Sequence, residues 1–158
     1  MTSERPADQA PVTRGPAGID PRGPRVGAAV TALLLAVVVL LGASPAGLVL
    51  LAVVAAGFLL GAVRGAQGTV QGWLFKTLVR PRLAPPAELE DPRPPRFAQL
   101  VGLVVTGVGV VLGLAGVLAA VPWAAGIAFV AAGLNAVVGL CLGCELYLLG
   151  ARLRPSAR

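Results

Sequence analysis

Apolar residues gather along this chain into four long runs, separated by stretches rich in proline and charge. They are Val26 to Leu41, Ala46 to Val63, Phe97 to about Ala119, and about Trp123 to Leu149. A helix rises about 1.5 Å per residue and the hydrocarbon core of a bilayer is roughly 30 Å thick, so about 20 apolar residues make one span. The last two runs cross easily and the first two just suffice. Val26 to Val63 does not read as one long helix, because Ser44-Pro45-Ala46-Gly47 places a serine before a proline at its centre and favours a turn. The pattern predicts an all-α integral membrane protein with four transmembrane helices in two hairpins. Cleavage of the first run as a signal sequence is disfavoured, since it starts some 25 residues in and another span follows at once.

Composition agrees: 56% of residues are hydrophobic and only 13% charged. Charge placement adds orientation. Arg5, Arg14, Arg22 and Arg25 precede the first span, and Arg64, Lys76, Arg80, Arg82, Arg93 and Arg96 lie between the second and third. Arg152, Arg154 and Arg158 follow the fourth, which accounts for all 13 basic residues. The connections Gly42 to Gly47 and roughly Gly116 to Ala124 carry no charge. Short basic loops stay in the cytoplasm, so both termini and the central loop are expected there, in a multi-pass protein of the bacterial cell membrane. The net charge of +6 then sets topology and meets anionic headgroups of the lipid bilayer, with no case for nucleic acid.

The chain also repeats itself. Asp20-Pro21-Arg22-Gly23-Pro24-Arg25 before the first span recurs as Asp91-Pro92-Arg93-Pro94-Pro95-Arg96 before the third, 71 residues later. The same offset pairs Gly68 with Gly139, Gly72 with Gly143, and Arg64 with Asn135. Two copies of a two-span hairpin are expected, parallel because each has an even number of spans. The divisions are a disordered tail (1–18), the first hairpin (19–66), an interfacial helix and linker (67–90), and the second hairpin (91–158). DPRxPR reads as a stiff lead-in whose arginines anchor at headgroup level. Val70 to Arg80 predicts a short interfacial helix with Trp73 and Phe75 near the acyl boundary, and the proline-rich acidic segment after it a surface linker. Gly57, Gly61 and Gly65, then Gly109 and Gly113, then Gly139 and Gly143 after an alanine ridge at Ala124, Ala128, Ala132 and Ala136, predict close helix packing.

Chemistry concentrates in Gly139-Leu140-Cys141-Leu142-Gly143-Cys144-Glu145-Leu146-Tyr147. If the last run is one helix, Cys141, Cys144 and Glu145 share a face in its cytoplasmic half. A carboxylate there has to be neutral, paired with a cation such as Arg64 or Arg80, or open to water. Three readings of the cysteines stand side by side. They pack as small buried residues; they form a redox or sulfur-handling pair; or they hold Cu(I), which accepts two soft ligands. A continuous helix counts against an activated thiol, because the dipole helps little there, unless Gly139 and Gly143 interrupt it. No other cofactor is called for. The chain has no histidine, no P-loop and no dinucleotide glycine fingerprint, which argues against hydrolases, nucleotide enzymes and haem proteins with histidine ligands.

Asn135 to Tyr147, with Pro95-Arg96-Phe97-Ala98-Gln99 and Asp20-Pro21-Arg22, resembles a bacterial membrane-protein family well represented in actinobacteria, domain of unknown function 4395. The resemblance runs from about Ile19 to Arg154. By position its motif falls on Asn135, Gly139, Cys141, Gly143, Cys144 and Tyr147, and leaves Glu145 open. It implies a small multi-span helical protein and no established activity. It also implies an association with thioredoxin-like and sulfurtransferase proteins, which favours thiol or sulfur chemistry. On that reading Cys144 exchanges with such a soluble partner, Cys141 resolves the mixed species, and Glu145 or Tyr147 moves protons. A non-enzymatic scaffold is the second reading. A small-solute or metal-ion carrier with Glu145 on its path is the third, and four spans then require a homo-oligomer.

Overall fold

A computed structural model describes residues 18–86 and 88–153, and its elements are helical throughout. The four long helices are α1 (Arg22–Leu41), α2 (Pro45–Arg64), α4 (Arg93–Leu114) and α5 (Ala120–Val138), each long and apolar enough to cross a membrane. A short α3 (Val70–Leu74) continues through a π turn, Phe75–Val79, and a 3-10 turn, Arg80–Arg82. After α5 comes a further helix, α6 (Leu142–Leu153). The tail expected over 1–18 lies, apart from Gly18, outside the described residues.

Local chemistry explains where the helices start. Ser44 caps α2, its Oγ accepting the Gly47 backbone N–H at 3.0 Å, with Pro45 at the first helical position. The aspartate of each DPRxPR instead stands one residue before the N-cap proline of α1 or α4 and accepts the N–H of the first helical residue. The Arg22 N–H donates to Asp20 Oδ1 at 3.0 Å, and the Arg93 N–H to Asp91 Oδ1 at 2.9 Å. The third span was expected to begin at Phe97, but with this turn the helix starts at Arg93. Pro94 and Pro95 fit in the first turn because the N–H groups they lack have no helical partner there.

The helices pack mainly across the two halves of the chain, α1 against α5 and α2 against α4. Leu35 and Val38 of α1, Leu51 and Val54 of α2, and Val121, Ala124, Ala125 and Ala128 of α5 form the core. Gly109 admits Ala124, Gly113 admits Leu48 and Val121, and the ring of Phe58 lies over Gly102, so absent side chains set the close approach as expected. Large apolar side chains cover the outside instead: Leu40 is 86% exposed, Val137 79% and Trp123 76%. An apolar exterior around so small a core is what lipid, not water, accommodates.

Both hairpins begin and end at the same end of the bundle. There Ile19 and Glu90 pair through both backbone hydrogen bonds, each 2.9 Å. Arg96 donates to the carbonyls of Ala62 (2.7 Å) and Val63 (3.0 Å) at the end of α2, and Arg25 to that of Val137 (3.4 Å) at the end of α5. The core residues lie toward the opposite, uncharged end, so the bundle is tight there and opens toward the charged end.

Two expectations about the flanking helices are corrected. Phe75 does not sit at the acyl boundary; it is buried against Gly23 of α1, while Trp73 is exposed. The fourth run is also not one helix. α5 stops at Val138, Gly139 takes a left-handed conformation (φ +76°), and α6 starts three residues later. Hydropathy runs straight through this point, but the conformation at its centre is one that glycine adopts at little cost.

Candidate functional site

The helix break at Gly139 decides the geometry of the cysteines. The Gly139 N–H closes α5 by donating to the Asn135 carbonyl at 3.1 Å, and Cys141 then stands immediately before α6. Its carbonyl accepts the Glu145 N–H at 3.0 Å, the first helical hydrogen bond of α6, and its Sγ accepts the Cys144 N–H at 3.3 Å. Cys141 thus occupies the N-cap position. The three residues expected on one helix face are therefore divided: Cys144 and Glu145 belong to α6, and Cys141 caps it. Cys141 and Cys144 lie at disulfide distance, with Cα atoms 5.2 Å apart. As a disulfide neither sulfur is a thiolate that a metal could use.

The first half of the chain holds the same arrangement without sulfur. Gly65, also with positive φ (+82°), ends α2. Thr69 then caps α3, its Oγ1 accepting the Gly72 N–H at 3.0 Å, while its carbonyl accepts the Trp73 N–H at 2.9 Å. Residue for residue, Thr69-Val70-Gln71-Gly72 matches Cys141-Leu142-Gly143-Cys144. The aromatic three positions further on matches as well, Phe75 for Tyr147.

Packing fixes α6 in place. A side chain at Gly143 would fall 2.6 Å from the Ala98 Cα of α4, so α6 lies directly on that helix. Tyr147 stacks against Phe97 with centroids 5.8 Å apart and planes at 53°. Glu145 is exposed and forms no ion pair among the described residues, neither with Arg64 nor with Arg80. The cost that demanded a partner is absent, because α6 lies across the first turns of α4 at the charged end rather than in mid-span.

Both cysteines border a cleft of about 1540 Å³ that runs between the helices from the charged end. At its mouth are Pro21 and Asp91, and it reaches Leu34, twelve residues along α1 from Arg22, or about 18 Å. Its lining is mostly apolar, with Thr31, Thr69 and the carboxamides of Gln71, Gln99 and Asn135 along it and the charged groups of Arg25, Glu90, Asp91 and Glu145 at the charged end. Among the described residues no hydrogen bond joins these carboxamides to another protein group. Gln71 and Gln99 were overlooked in the sequence, although a lone glutamine one turn into an apolar run is a visible signal at Gln99.

The family model described as Domain of unknown function (DUF4395) matches residues 19–152. The chain belongs to this family. The matched region starts at the Ile19 bridge and takes in both DPRxPR segments, all four long helices and the cysteine pair. No curated protein and no solved structure matches the chain.

Proposed function

We propose that this is a multi-pass protein of the bacterial cell membrane, a thiol-redox or sulfur-relay component whose working group is the Cys141–Cys144 pair. The observation that carries this reading is the place of Cys141, at the cap of α6 just after the Gly139 break, bonded to a backbone N–H. A helix amino terminus favours an anion, and a cysteine there is held more readily as thiolate than one inside an apolar helix. The objection raised by a continuous last span is thereby removed.

The same geometry favours roles opposite to those expected from depth alone. Cys141, not Cys144, carries the mixed disulfide. A thiolate of a soluble dithiol partner, thioredoxin-like or a sulfurtransferase, attacks Cys141 Sγ, and the S–S bond breaks with Cys144 leaving as thiolate. The partner's second thiol then attacks its own sulfur in the mixed disulfide and releases Cys141. The partner ends as a disulfide and the membrane pair as a dithiol, so two electrons have moved. By the basic-loop argument the charged end, and the pair with it, faces the cytoplasm.

Supporting the two-copy architecture, α1 and α4 begin 71 residues apart, and the same separation holds for Asp20 and Asp91, which accept their first N–H groups, and for the cross-capping Arg25 and Arg96. The copies are parallel, and sulfur was placed at the cap of the second alone.

With Cys144→Ser, resolution is blocked, and a soluble thioredoxin carrying its attacking cysteine only, with its partner bond preformed as an activated disulfide, is expected to be trapped on Cys141. Failure to trap it, with Cys141 still open to small alkylating reagents, defeats the reading. A scaffold in which the pair merely pins α6 draws on Thr69, which fills the same cap with no thiol. It predicts that the Cys141→Ala, Cys144→Ala double variant fully complements a deletion.

A further inference from the structure

A dithiol that accepts electrons from a soluble partner must pass them on, and the wall beside it is the cleft. Three features of that cleft bear on what it holds. First, its volume of about 1540 Å³ exceeds the few hundred to about a thousand cubic ångströms of a usual small-molecule site. It suits a ring with part of an apolar tail. Second, it abuts the core at Val54 and Ala128 and borders the disulfide toward the charged end, while the exposed Val53, Ile127 and Val130 on its lining leave a side open to lipid. An occupant with a polar head and a long apolar tail is thereby placed head outward, near the sulfurs. Third, Gln71, Gln99 and Asn135 offer carboxamide N–H donors that meet no protein acceptor among the described residues, along a wall that is mostly apolar inward of the charged groups at its mouth. Such donors suit carbonyl oxygens on a ligand that is apolar elsewhere.

We infer that the cleft holds a membrane-soluble para-quinone, which takes the electrons released when Cys141 and Cys144 close their disulfide. This rests on the thiol-redox reading above. The reaction balances without a further reagent. The two S–H bonds break and one S–S bond forms; the two electrons and two protons reduce the quinone carbonyls to the two hydroxyls of a quinol. A phospholipid tail fits the same volume but accepts no electrons, so the test has to read electron transfer and not occupancy alone.

The experiment uses the full chain in nanodiscs, reduced with dithiothreitol, freed of it and kept without oxygen. The oxidants are decylubiquinone and a short-tailed menaquinone, both fully ring-substituted so that thiols cannot add to them. Absorbance reads the quinol and thiol titration reads the disulfide. The expected result is one quinol per disulfide formed, at a rate that saturates with quinone, and none from Cys144→Ser. Gly57 borders the cleft, and a Cβ there would meet only the Gln71 Nε2, at 4.0 Å, so Gly57→Leu adds bulk to the cleft wall from an open position. It is expected to slow quinol formation about tenfold while dithiothreitol still reduces the pair at its usual rate. Photolabelling by an azidoquinone is expected to mark peptides containing Gln99 or Asn135.

Exchange with dithiothreitol and thioredoxin but no quinol overturns this inference and leaves the redox reading standing. A pair that reacts with none of these reagents ends both. Unchanged quinol formation in Gly57→Leu, or labels confined to the lipid-facing surface, places the oxidant elsewhere and also overturns the cleft as its site.

Discussion

Ile19 and Glu90, 71 positions apart, hydrogen-bond each other in both directions, Ile19 N–H to the Glu90 carbonyl and Glu90 N–H to the Ile19 carbonyl, each 2.9 Å. On the proposed two-copy reading these residues are counterparts, and a reciprocal pair of that kind lies on the axis relating the copies. The next residues follow suit: Asp20 and Asp91 accept the first N–H of α1 and α4, and Arg25 and Arg96 each reach the last turn of the second span in the other half. DPRxPR is thus more than a lead-in at headgroup level. Its last arginine ties the two hairpins together.

The two ties differ in quality, which gives a graded prediction. Arg96 makes two hydrogen bonds, at 2.7 and 3.0 Å, where Arg25 makes one at 3.4 Å. A cation on the final carbonyls of a helix contributes about 0.3–1 kcal/mol. Arg96→Ala is expected to lower the melting temperature in mild detergent more than Arg25→Ala, and Arg96→Lys to recover only part, since a single ammonium does not reproduce the fork.

The docking of α6 has a steric test. A methyl at Gly143 meets the Ala98 backbone, which cannot yield as a flexible side chain can. Gly143→Ala is expected to cost about 1–3 kcal/mol and to separate Tyr147 from Phe97, with tyrosine fluorescence and thermal unfolding as the readouts. Gly139→Ala strains the left-handed position by about 1–2 kcal/mol, which a detergent melting curve reads.

Asp20 gives a dependence on pH. Hydrogen bonds from the Arg22 side chain, foremost, hold its carboxyl below the ordinary carboxylate range, against the opposing effect of burial. A carboxyl lowered in the folded state stabilises it above the unfolded value of about 3.9, and that contribution is lost as pH falls through the lower folded value. Melting temperature is expected to hold steady from about pH 7 to 5 and to decline below about 4. Asp20→Asn keeps an acceptor for the Arg22 N–H but not the ion pair. It is expected to melt lower at neutral pH and to show a shallower acid decline.

Much of this architecture was legible in the chain. Four apolar runs gave four helices, and the SPAG turn fell at Ser44 and Pro45. Hydropathy sums side chains and is blind to backbone dihedrals, so it carried the last run through Gly139 and put Cys141 inside a helix. The offset of 71 paired Gly68 with Gly139, but the conformational match is Gly65 with Gly139, three residues out of step. The caps Thr69 and Cys141 stand 72 positions apart, one residue out of step with the repeat, so the offset did not pair them either. What Arg25 and Arg96 bind could not be read, because their acceptors are main-chain carbonyls, which every sequence has. Glu145 looked costly only while α6 was taken as part of a span.

The central claim is that Cys141 and Cys144 form a working redox pair, and redox titration of the full chain in nanodiscs tests it most directly. Samples are equilibrated in graded ratios of reduced to oxidised dithiothreitol, approached from both sides, quenched in acid and counted by thiol mass tagging. The account predicts one reversible two-electron transition, the same from either direction, lost in both Cys141→Ser and Cys144→Ser. A pair that keeps one state across all ratios until the protein is unfolded contradicts it.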